Sequence, residues 1–451
     1  MRSAIVMAAG KGTRMMSNKT KTMHQLFDKP MIGHVYAHLK KANIDRIVMV
    51  VGHGAEQIQE YLKDTVEYAI QQPQLGTGHA VMQAQQLKNE SGKTLIFNGD
   101  CPLVQPETIE RLFEESGNAQ FAVLTTVLDD PARYGRIVRN ADGSVQKIVE
   151  FKDCDEEEKK ILEINVGIYC VDNELLWKYL PELSDDNAAK EYYVTDLVEI
   201  FLKHGHTVTA VVGSDPKEMI GINDRKMLAE ATKYLQSRVN TYWMEHGVTL
   251  LDPATTFISE DTVIGTDTVI YPGVVMQGAN TIGEECTLYP GCFFENVTIG
   301  NGTTIISSRI TDSIVGNHTT VGPNSHLRNH SELADDVRIG NFVELKNTKL
   351  GYNTKCAHLT YLGDSDVGAK VNFGCGVVTV NYDGKHKFRT EIEDGAFIGS
   401  NVNLIAPVHV GKNALLAAGS TINQDVEDGD MAIARPRQMV KKGYGDQYKK
   451  K

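Results

Sequence analysis

The chain has 451 residues, more than one hydrophobic core usually organises, so at least two domains are expected. Its formal net charge of −12 excludes a protein that binds nucleic acid through a general basic surface. Its seven cysteines include no Cys-x-x-Cys pair, and no apolar run reaches the roughly eighteen residues of a membrane span, so we expect a reduced, cytoplasmic protein.

The first half of the chain alternates strand and helix signals. The predicted strands are residues 3–8, 46–51, 66–70, 94–97, 121–127 and 164–171, and the predicted helices begin at residues 30, 55 and 77. This alternation predicts an α/β fold with a largely parallel, Rossmann-like sheet that helices cover on both faces. Ligands of such sheets bind beyond the carboxyl ends of the strands, where Gly10–Arg14 and Asp100 lie.

Residues 224–246 have the pattern of one long helix. Asp224 or Asn223 can cap its start, and Gly247 can end it. The expected apolar stripe consists of Met227, Leu228, Ala231, Leu235, Val239 and Tyr242. We therefore expect a first domain of residues 1–226, a linker helix of residues 227–247 and a second domain of residues 248–451 that ends in a flexible basic tail.

After the linker, apolar residues recur every six positions. They are Ile258, Ile264, Ile270, Met276, Ile282, Leu288 and Phe294, then Val315, Val321, Leu327, Leu333, Ile339 and Leu345, and finally Ile392, Ile398, Leu404, Val410, Leu416 and Ile422. This period fits neither a helix nor a lone strand, and it predicts a parallel β-helix of hexapeptide repeats. The period breaks between Leu345 and Val367 and between Phe373 and Ile392. Because insertions in solenoids form loops on one face, we expect binding loops at both breaks.

A polar loop follows the first predicted strand, with the sequence Ala8-Ala9-Gly10-Lys11-Gly12-Thr13-Arg14-Met15. It is neither a Walker loop nor a dinucleotide fingerprint. Its backbone N–H groups, with Lys11, Arg14 and the nearby Lys21, would bind a triphosphate. Two further segments accompany it: Gln-Gln-Pro-Gln-Leu-Gly-Thr-Gly-His at residues 71–79, and Gly99-Asp100 after a later strand.

These three segments resemble a sugar-1-phosphate nucleotidyltransferase. Together with the hexapeptide half, the whole chain resembles the bacterial bifunctional N-acetylglucosamine-1-phosphate uridyltransferases/glucosamine-1-phosphate N-acetyltransferases. The resemblance implies acetylation of glucosamine 1-phosphate by acetyl-coenzyme A. It then implies Mg²⁺-dependent transfer of the uridylyl group of UTP to N-acetylglucosamine 1-phosphate, which gives UDP-N-acetylglucosamine and pyrophosphate. It also implies a left-handed β-helix and a homotrimer whose acetyltransferase site is shared between neighbouring subunits.

The resemblance assigns roles to residues of the first half. Asp100 and Asn223 match the Mg²⁺ ligands, and Arg14 and Lys21 match the catalytic cations at the phosphates. The uridine-binding residues correspond to Met7, Ala8, Ala9, Gly10, Gln71, Gly76 and Thr77. The sugar contacts correspond to Gly135, Glu150 and Asn165. The family often has proline before the lysine, where this chain has Thr20.

A second set of polar residues lies in and around the breaks of the six-residue period. Acyl transfer to an amino sugar needs a base that accepts a proton from the attacking amine, a task that suits a histidine side chain, and His358 matches the catalytic base of the family. Glu344 is a candidate to orient its ring. The same resemblance implies that glucosamine 1-phosphate binds to Arg328, Lys346, Tyr361 and Asn372. It implies contacts with acetyl-coenzyme A for Cys375, where the family commonly has alanine, Asn381, Tyr382, Ser400, Ala418 and Arg435, with Lys387 as a further candidate.

Two alternatives remain open from the sequence. The first is a monofunctional sugar-1-phosphate nucleotidyltransferase with a regulatory or oligomerising β-helix, against which Arg328, Lys346 and His358 argue. The second is a non-catalytic binding or assembly module with a degenerate nucleotide pocket, against which the combination of Arg14, Lys21 and Asp100 argues.

Overall fold

A computed structural model describes residues 1–447, so residues 448–451 of the predicted basic tail lie outside the described residues. The chain forms two compact units, Met1–Leu235 and a second that begins at Gln236. The helices are α1 Met31–Lys41, α2 Ala55–Leu62, α3 Thr77–Met82, α4 Pro106–Ser116, α5 Asn173–Tyr179, α6 Leu197–Lys203 and α7 Arg225–Glu245. Within the described part of the chain, none of them combines the length and apolar character needed to cross a bilayer.

The first unit is built on a nine-stranded sheet. Its strands are β1 Arg2–Met7, β4 Arg46–Val51, β5 Glu67–Ile70, β6 Lys93–Asn98, β7 Phe121–Val127, β8 Arg136–Arg139, β9 Val145–Val149, β10 Glu163–Asp172 and β11 Val208–Val212, while β2 Gln25–Leu26 and β3 Lys29–Pro30 pair separately. The order is β11-β7-β10-β6-β1-β4-β5, with the β8–β9 hairpin attached to β10. Alternate residues of β1 pack in different cores, Ala4 and Val6 in one and Ile5 in the other. The predicted α/β sheet with two covered faces is confirmed.

Two strands of this sheet, β9 and β10, run against the others. β10 is antiparallel to its neighbours β6 and β7, whereas β1, β4, β5 and β6 are parallel. Eight of its ten residues are buried without interruption, because both of its faces are covered. A strand buried on both faces has the same continuous apolar run in either direction, so the sequence pattern did not reveal this reversal.

The long helix α7 begins as predicted. The carboxylate of Asp224 accepts a hydrogen bond from the N–H of Met227 at 2.9 Å, as an N-cap does. The buried members of the predicted stripe are Ala231, Leu235 and Val239. Tyr242 is 50% exposed and stacks on His246, so its inclusion in the stripe is wrong. The boundary between the two compact units falls within the sequence of this helix, after Leu235. The division at residues 226 and 247 stays a prediction.

The second unit is a parallel β-helix with three strands in each coil. Its strands are β12 Thr249–Leu250, β13 Phe257–Ile258, β14 Val263–Ile264, β15 Val269–Ile270, β16 Val275–Gln277, β17 Thr281–Ile282, β18 Thr287–Leu288, β19 Phe293–Glu295, β20 Thr298–Ile299, β21 Thr304–Ile305, β22 Arg309–Thr311, β23 Ile314–Val315, β24 Thr320–Val321, β25 His326–Arg328, β26 Glu332–Leu333, β27 Arg338–Asn341, β28 Glu344–Leu350, β29 Lys355–His358, β30 Tyr361–Val367, β31 Asn372–Phe373, β32 Val378–Val380, β33 Thr390–Ile392, β34 Phe397–Ile398, β35 Asn403–Ile405, β36 Val408–Val410, β37 Leu415–Leu416, β38 Thr421–Ile422 and β39 Met431–Ala432. Every residue of the predicted six-residue series is buried. The predicted β-helix is confirmed, and its handedness stays an expectation from the resemblance.

The corners between strands take left-handed backbone conformations. One row of corners consists of Gly273, Gly291, Ser307, Asn324 and Phe342, with φ between 39° and 76°. The glycines that follow core aliphatic residues have another role. At Gly283, a Cβ would lie 2.7 Å from the backbone nitrogen of Asn301 in the next coil, so only a residue without a side chain allows this stacking.

The first predicted break in the period is not an insertion. Between Leu345 and Val367 the coil continues, and its buried core positions are occupied by Leu350, Cys356 and Leu362. The prediction of a loop at this break is wrong. Two of the steps between core residues are five residues long, and one core residue is a cysteine, so the sequence pattern looked interrupted although the coil is regular. The second break does contain a loop.

The inserted loop comprises residues 381–389. Register shows the insertion directly, since 25 residues separate Asn372 from its partner Phe397, whereas 18 separate Phe257 from Val275. The loop leaves the coil after β32 and returns at β33. An antiparallel bridge between Tyr382 and Lys387 closes it.

Gly291 provides a test of the corner conformation. Its φ is +76°, and a Cβ at this position would meet no atom within 4 Å. Gly291→Ala should therefore lower the free energy of unfolding by about 1–2 kcal/mol through backbone strain alone. Gly291→Asn should lose less, because asparagine adopts the left-handed region more readily. Denaturant unfolding measures both variants, and equal stability of Gly291→Ala and the unaltered protein would contradict the prediction.

Candidate active sites

The first candidate site lies beyond the carboxyl ends of β1 and β6, which are neighbours in the sheet. The loop after β1 turns at Gly12, where φ is +60°. A Cβ on Gly12 would lie 2.6 Å from the Cβ of Lys21, so glycine allows the loop to close over this lysine. The turn after β6 carries Asp100.

Four of the predicted residues meet at this edge of the sheet. The ammonium group of Lys21 forms an ion pair with Asp100 and donates a hydrogen bond to Asn223 Oδ1 at 2.6 Å. The guanidinium of Arg14 donates to the same oxygen at 2.8 Å. Oxygens of Asp100 and Asn223 therefore converge on one cation. A carboxylate and an amide oxygen in this arrangement suit a divalent metal that keeps water and phosphate oxygens as its other ligands.

Tyr134 belongs to the same site although no sequence motif indicated it. Burial above all, together with the nearby charge of Asp100, raises the pKa of Tyr134 to about 12, so its hydroxyl stays protonated at neutral pH. The fully buried guanidinium of Arg136 donates hydrogen bonds to carbonyl groups of residues 131–134 and fixes this loop. Tyr134 lies in an irregular loop whose sequence has no periodic pattern, so its place in the site becomes visible only from its contacts in the folded chain.

The predicted uridine-binding residues form one surface beside the first loop. The buried amide of Gln71 donates to the carbonyl of Gly76 at 2.9 Å, and Thr77 begins α3 directly afterwards. The amide of Gln74 donates to the carbonyl of Ala9. Segment 71–77 is therefore fixed against the residues that follow β1.

The three predicted sugar contacts also lie together. The N–H of Asn165 donates to the carbonyl of Gly135 at 2.9 Å, and a Cβ on Gly135 would lie 3.5 Å from the carboxylate of Glu150. Burial raises the pKa of Glu150. Glu150 borders a cavity of 310 Å³, whose other lining residues are Arg133, Phe151, Lys152, Ala189, Glu191 and Tyr193.

Thr20 replaces the proline that the family often has before the lysine. Its φ of −60° is one that proline also adopts. Its N–H donates to the side chain of Gln57 at 3.1 Å, so a hydrogen bond restrains the segment before Lys21 where a ring would otherwise do so.

The second candidate site lies on the β-helix. Strand register pairs Arg328 with Lys346 and Glu344 with Tyr361, so the four side chains share one face. Arg328 donates two hydrogen bonds to Glu344, at 2.9 and 2.5 Å. Among residues 1–447, the side chain of Glu344 makes no hydrogen bond other than these two. The expectation that Glu344 orients the ring of His358 therefore gains no support.

His358 lies in a row of corners with three of the predicted acetyl-coenzyme A contacts, Cys375, Ser400 and Ala418. The carbonyls of His358, Cys375 and Ser400 accept hydrogen bonds at 3.4, 2.7 and 2.8 Å from equivalent N–H groups one coil further on. Ala418 continues the row, and Arg435 donates to its carbonyl. At a strand spacing of about 4.8 Å, His358 and Ala418 are roughly 14 Å apart. The ring of His358 is exposed, as a base that meets a soluble substrate must be.

Asn372 lies on a different face from the other predicted sugar-phosphate contacts. It is in β31, in register with Lys355 and Phe397, whereas Lys346 and Tyr361 are in β28 and β30 of another sheet. The inserted loop contributes Asn381, Tyr382 and Lys387 on the face of Lys346. Asp364, which no motif indicates, lies among these side chains.

Comparison with known families and proteins agrees with this two-part architecture. The family of MobA-like NTP transferase domains matches residues 4–165. The GMPPB C-terminal domain family matches residues 253–360, and the bacterial transferase hexapeptide family, with six repeats, matches residues 389–424.

Curated relatives match the chain over nearly its whole length. Bifunctional protein GlmU of Geobacillus sp. (strain WCH70) is 50% identical over 448 residues, which cover 99% of this chain and 98% of the relative. The protein of the same name from Geobacillus thermodenitrificans (strain NG80-2) is 49% identical over 453 residues, covering 100% and 99%. That from Clostridium botulinum (strain 657 / Type Ba4) is 48% identical over 447 residues, covering 98% of each. With identity of this extent across both units, the chain belongs to the family of the bifunctional protein GlmU.

Proposed function

We propose that the two reactions of this bifunctional transferase take place in separate units of the chain. The β-helix acetylates glucosamine 1-phosphate with acetyl-coenzyme A. The first unit transfers the uridylyl group of UTP to N-acetylglucosamine 1-phosphate, which gives UDP-N-acetylglucosamine and pyrophosphate. The observation that carries the proposal is the convergence of Lys21, Asp100 and Asn223 at one point beyond the sheet.

In the first unit, the sugar phosphate attacks the α-phosphorus of UTP in line. Such a reaction requires the protein mainly to position two anions and to neutralise charge that develops on the phosphates. Arg14 and Lys21 supply positive charge, and Asp100 and Asn223 would bind Mg²⁺. Bound Mg²⁺ would neutralise phosphate oxygens. The sugar contacts Gly135, Glu150 and Asn165, and the uridine lies against residues 7–10 and 71–77.

In the β-helix, His358 accepts a proton from the amino group as the amino nitrogen of glucosamine 1-phosphate attacks the thioester carbonyl. The C–S bond then breaks, and coenzyme A leaves as the free thiol. Acetyl-coenzyme A lies along the row of corners from His358 to Ala418, so its acyl group reaches the imidazole while the remainder extends towards Ala418 and Arg435. Arg328 and Lys346, which are adjacent on one face, bind the phosphate of the acceptor.

A second copy of the chain completes the acetyltransferase site in a homotrimer. Asn372 lies on another face of its own β-helix, so a neighbouring subunit is needed to bring this residue to Lys346 and Tyr361. The same ladder continues with Phe397, Leu415 and Met431, three exposed apolar residues in register. Packing against a neighbour would remove this row from water.

Each site can be inactivated separately. Asp100→Ala should reduce pyrophosphate release at least about a hundredfold, because a metal ligand is lost, and should leave coenzyme A release unchanged. His358→Ala should reduce coenzyme A release by about 10²–10⁴-fold and spare pyrophosphate release. Parallel assays of both products test this. If either substitution stopped both reactions in a folded protein, the independence of the sites would be wrong.

Removal of divalent metal should likewise separate the reactions. Chelation by EDTA should stop pyrophosphate release, since Asp100 and Asn223 would then lack the metal whose charge neutralises the phosphates, while coenzyme A release continues. Added Mg²⁺ should restore the first activity. Uridylyl transfer that persists in metal-free buffer would contradict the role of these two residues.

The assembly can be tested by its mass. Light scattering should give three times the chain mass of 49.8 kDa. Leu415→Glu introduces a charge into the apolar row and should reduce both the mass and coenzyme A release, whereas pyrophosphate release should persist. A monomer with full acetyltransferase activity would refute the shared site.

A further inference from the structure

Asp364 is a buried carboxylate within the second site. Asp364 is only 6% exposed to solvent. Oδ1 accepts a hydrogen bond from the amide of Asn347 at 2.6 Å, and Oδ2 accepts one from the amide of Asn381. The ammonium nitrogen of Lys346 lies 3.6 Å from Oδ2. Both carboxylate oxygens are therefore fully engaged by groups from two other coils.

The corner conformation accounts for only part of this arrangement. Asp364 continues a row of corners with positive φ that consists of Gly278, Asn296, Asp312, Asn329, Asn347 and Asp364. Three coils earlier, the amide of Asn296 donates to Asp312 at 3.2 Å, which is the contact that Asn347 makes with Asp364. Asp312 is exposed and has no lysine beside it among its described contacts. A short polar side chain thus suits the corner, but the corner requires neither burial nor a negative charge.

The negative charge of Asp364 faces two lysines. Lys346 lies close enough to Lys387 to lower the pKa of Lys387. Burial opposes ionisation of Asp364, but hydrogen bonds from Asn347 and Asn381 and the charges of both lysines outweigh it, and the pKa of Asp364 falls below its ordinary value. Asp364 is therefore an ionised counter-charge between cations that would otherwise repel each other.

We propose that Asp364 is a positioning residue of the acetyltransferase reaction, whose carboxylate holds Lys346 and Asn381 in one fixed arrangement. Lys346 is a proposed ligand of the sugar phosphate and Asn381 a proposed contact of acetyl-coenzyme A, so the acceptor and donor subsites share one anchor. This role rests on the proposed function of the β-helix. Asp364 itself contacts neither reacting atom.

Asp364→Asn removes the charge and keeps the size of the side chain. Its carbonyl oxygen can still accept from Asn347, but its NH₂ group would face the NH₂ group of Asn381 and the ammonium of Lys346. The KM for glucosamine 1-phosphate and the KM for acetyl-coenzyme A should both rise about ten- to a hundredfold, as for the loss of charge-assisted hydrogen bonds. The KM for UTP should not change.

Asp312→Asn is the matched control, because it makes the same substitution in the same row of corners away from the lysines. It should leave both acetyltransferase KM values unchanged. If Asp364→Asn behaves like Asp312→Asn, the positioning role is overturned. If the two variants raise the KM values equally, the effect belongs to the corner, and the role is overturned as well.

The pH profile separates positioning from a merely structural effect. The titratable groups that face Lys387 are Lys346, which lowers the pKa of Lys387, and Asp364 and Tyr361, which raise it. Loss of the Asp364 charge should lower this pKa further. The alkaline limb of kcat/KM for acetyl-coenzyme A, which Lys387 is a candidate to contact, should therefore move to lower pH in Asp364→Asn. A structural effect would lower activity at every pH without moving the limb. If Asp364→Asn does not fold, Asp364→Glu can replace it, because glutamate keeps the charge and changes only the position of the carboxylate. Asp364→Glu should raise both KM values and leave the alkaline limb at its original pH. A displaced limb in this variant would overturn the role.

Failure of this role and failure of the proposed function give different results. If His358→Ala abolishes coenzyme A release while Asp364→Asn changes neither KM nor the pH profile, only the role of Asp364 is wrong. If His358→Ala leaves acetyl transfer intact, the role of His358 as the base is overturned, and if the unaltered protein releases no coenzyme A with glucosamine 1-phosphate, the proposed function of the β-helix is itself overturned.

Discussion

The stacking of one coil directly on the next is the constraint on which the second unit depends. Backbone N–H groups at each corner bond to carbonyls of the adjacent coil, and a single added Cβ at Gly283 would prevent this approach. Such stacking gives every side chain a fixed neighbour about 4.8 Å away. Arg328 is therefore set beside Lys346, and His358 is aligned with Cys375, by the same repeat that forms the core. The site needs no separate scaffold.

The first unit brings its functional groups together by a different route. β1 and β6 are neighbours, so the loop that contains Arg14 and the turn that contains Asp100 lie at one edge of the sheet. The N–H of Ile222 donates to the carbonyl of Asp100 at 2.9 Å and brings Asn223 to this edge. Asn223 therefore accepts a hydrogen bond from Arg14, 209 positions away in the chain. Here the geometry comes from strand order. In the β-helix, the functional groups are arranged by the repetition of coils along one axis. Such a row suits an elongated acyl donor, whereas a sheet edge suits a compact group of phosphates.

Patterns that arise from burial could be predicted from the sequence, and contacts that arise from tertiary neighbours could not. The six-residue period identified the core because a narrow coil admits one apolar side chain per strand, and β4 was predicted with its observed bounds. The same reasoning failed where Cys356 and steps of five residues interrupt the period without interrupting the coil. Tyr134 and Asp364 carry no local signal at all, since their importance lies in which distant groups surround them.

The inserted loop explains why Asp364 is buried, whereas Asp312, in the same row of corners, is exposed. Asn381 and Lys387 both come from this loop, and Asn381 bonds to Asp364 directly. Lengthening a loop is thermodynamically mild, since each doubling costs only about 0.6 kcal/mol in closure entropy. A buried carboxylate without partners would be far less favourable, so the loop and the aspartate stabilise each other. The insertion therefore turns a repeated structural corner into a charged anchor without altering the coil beneath it.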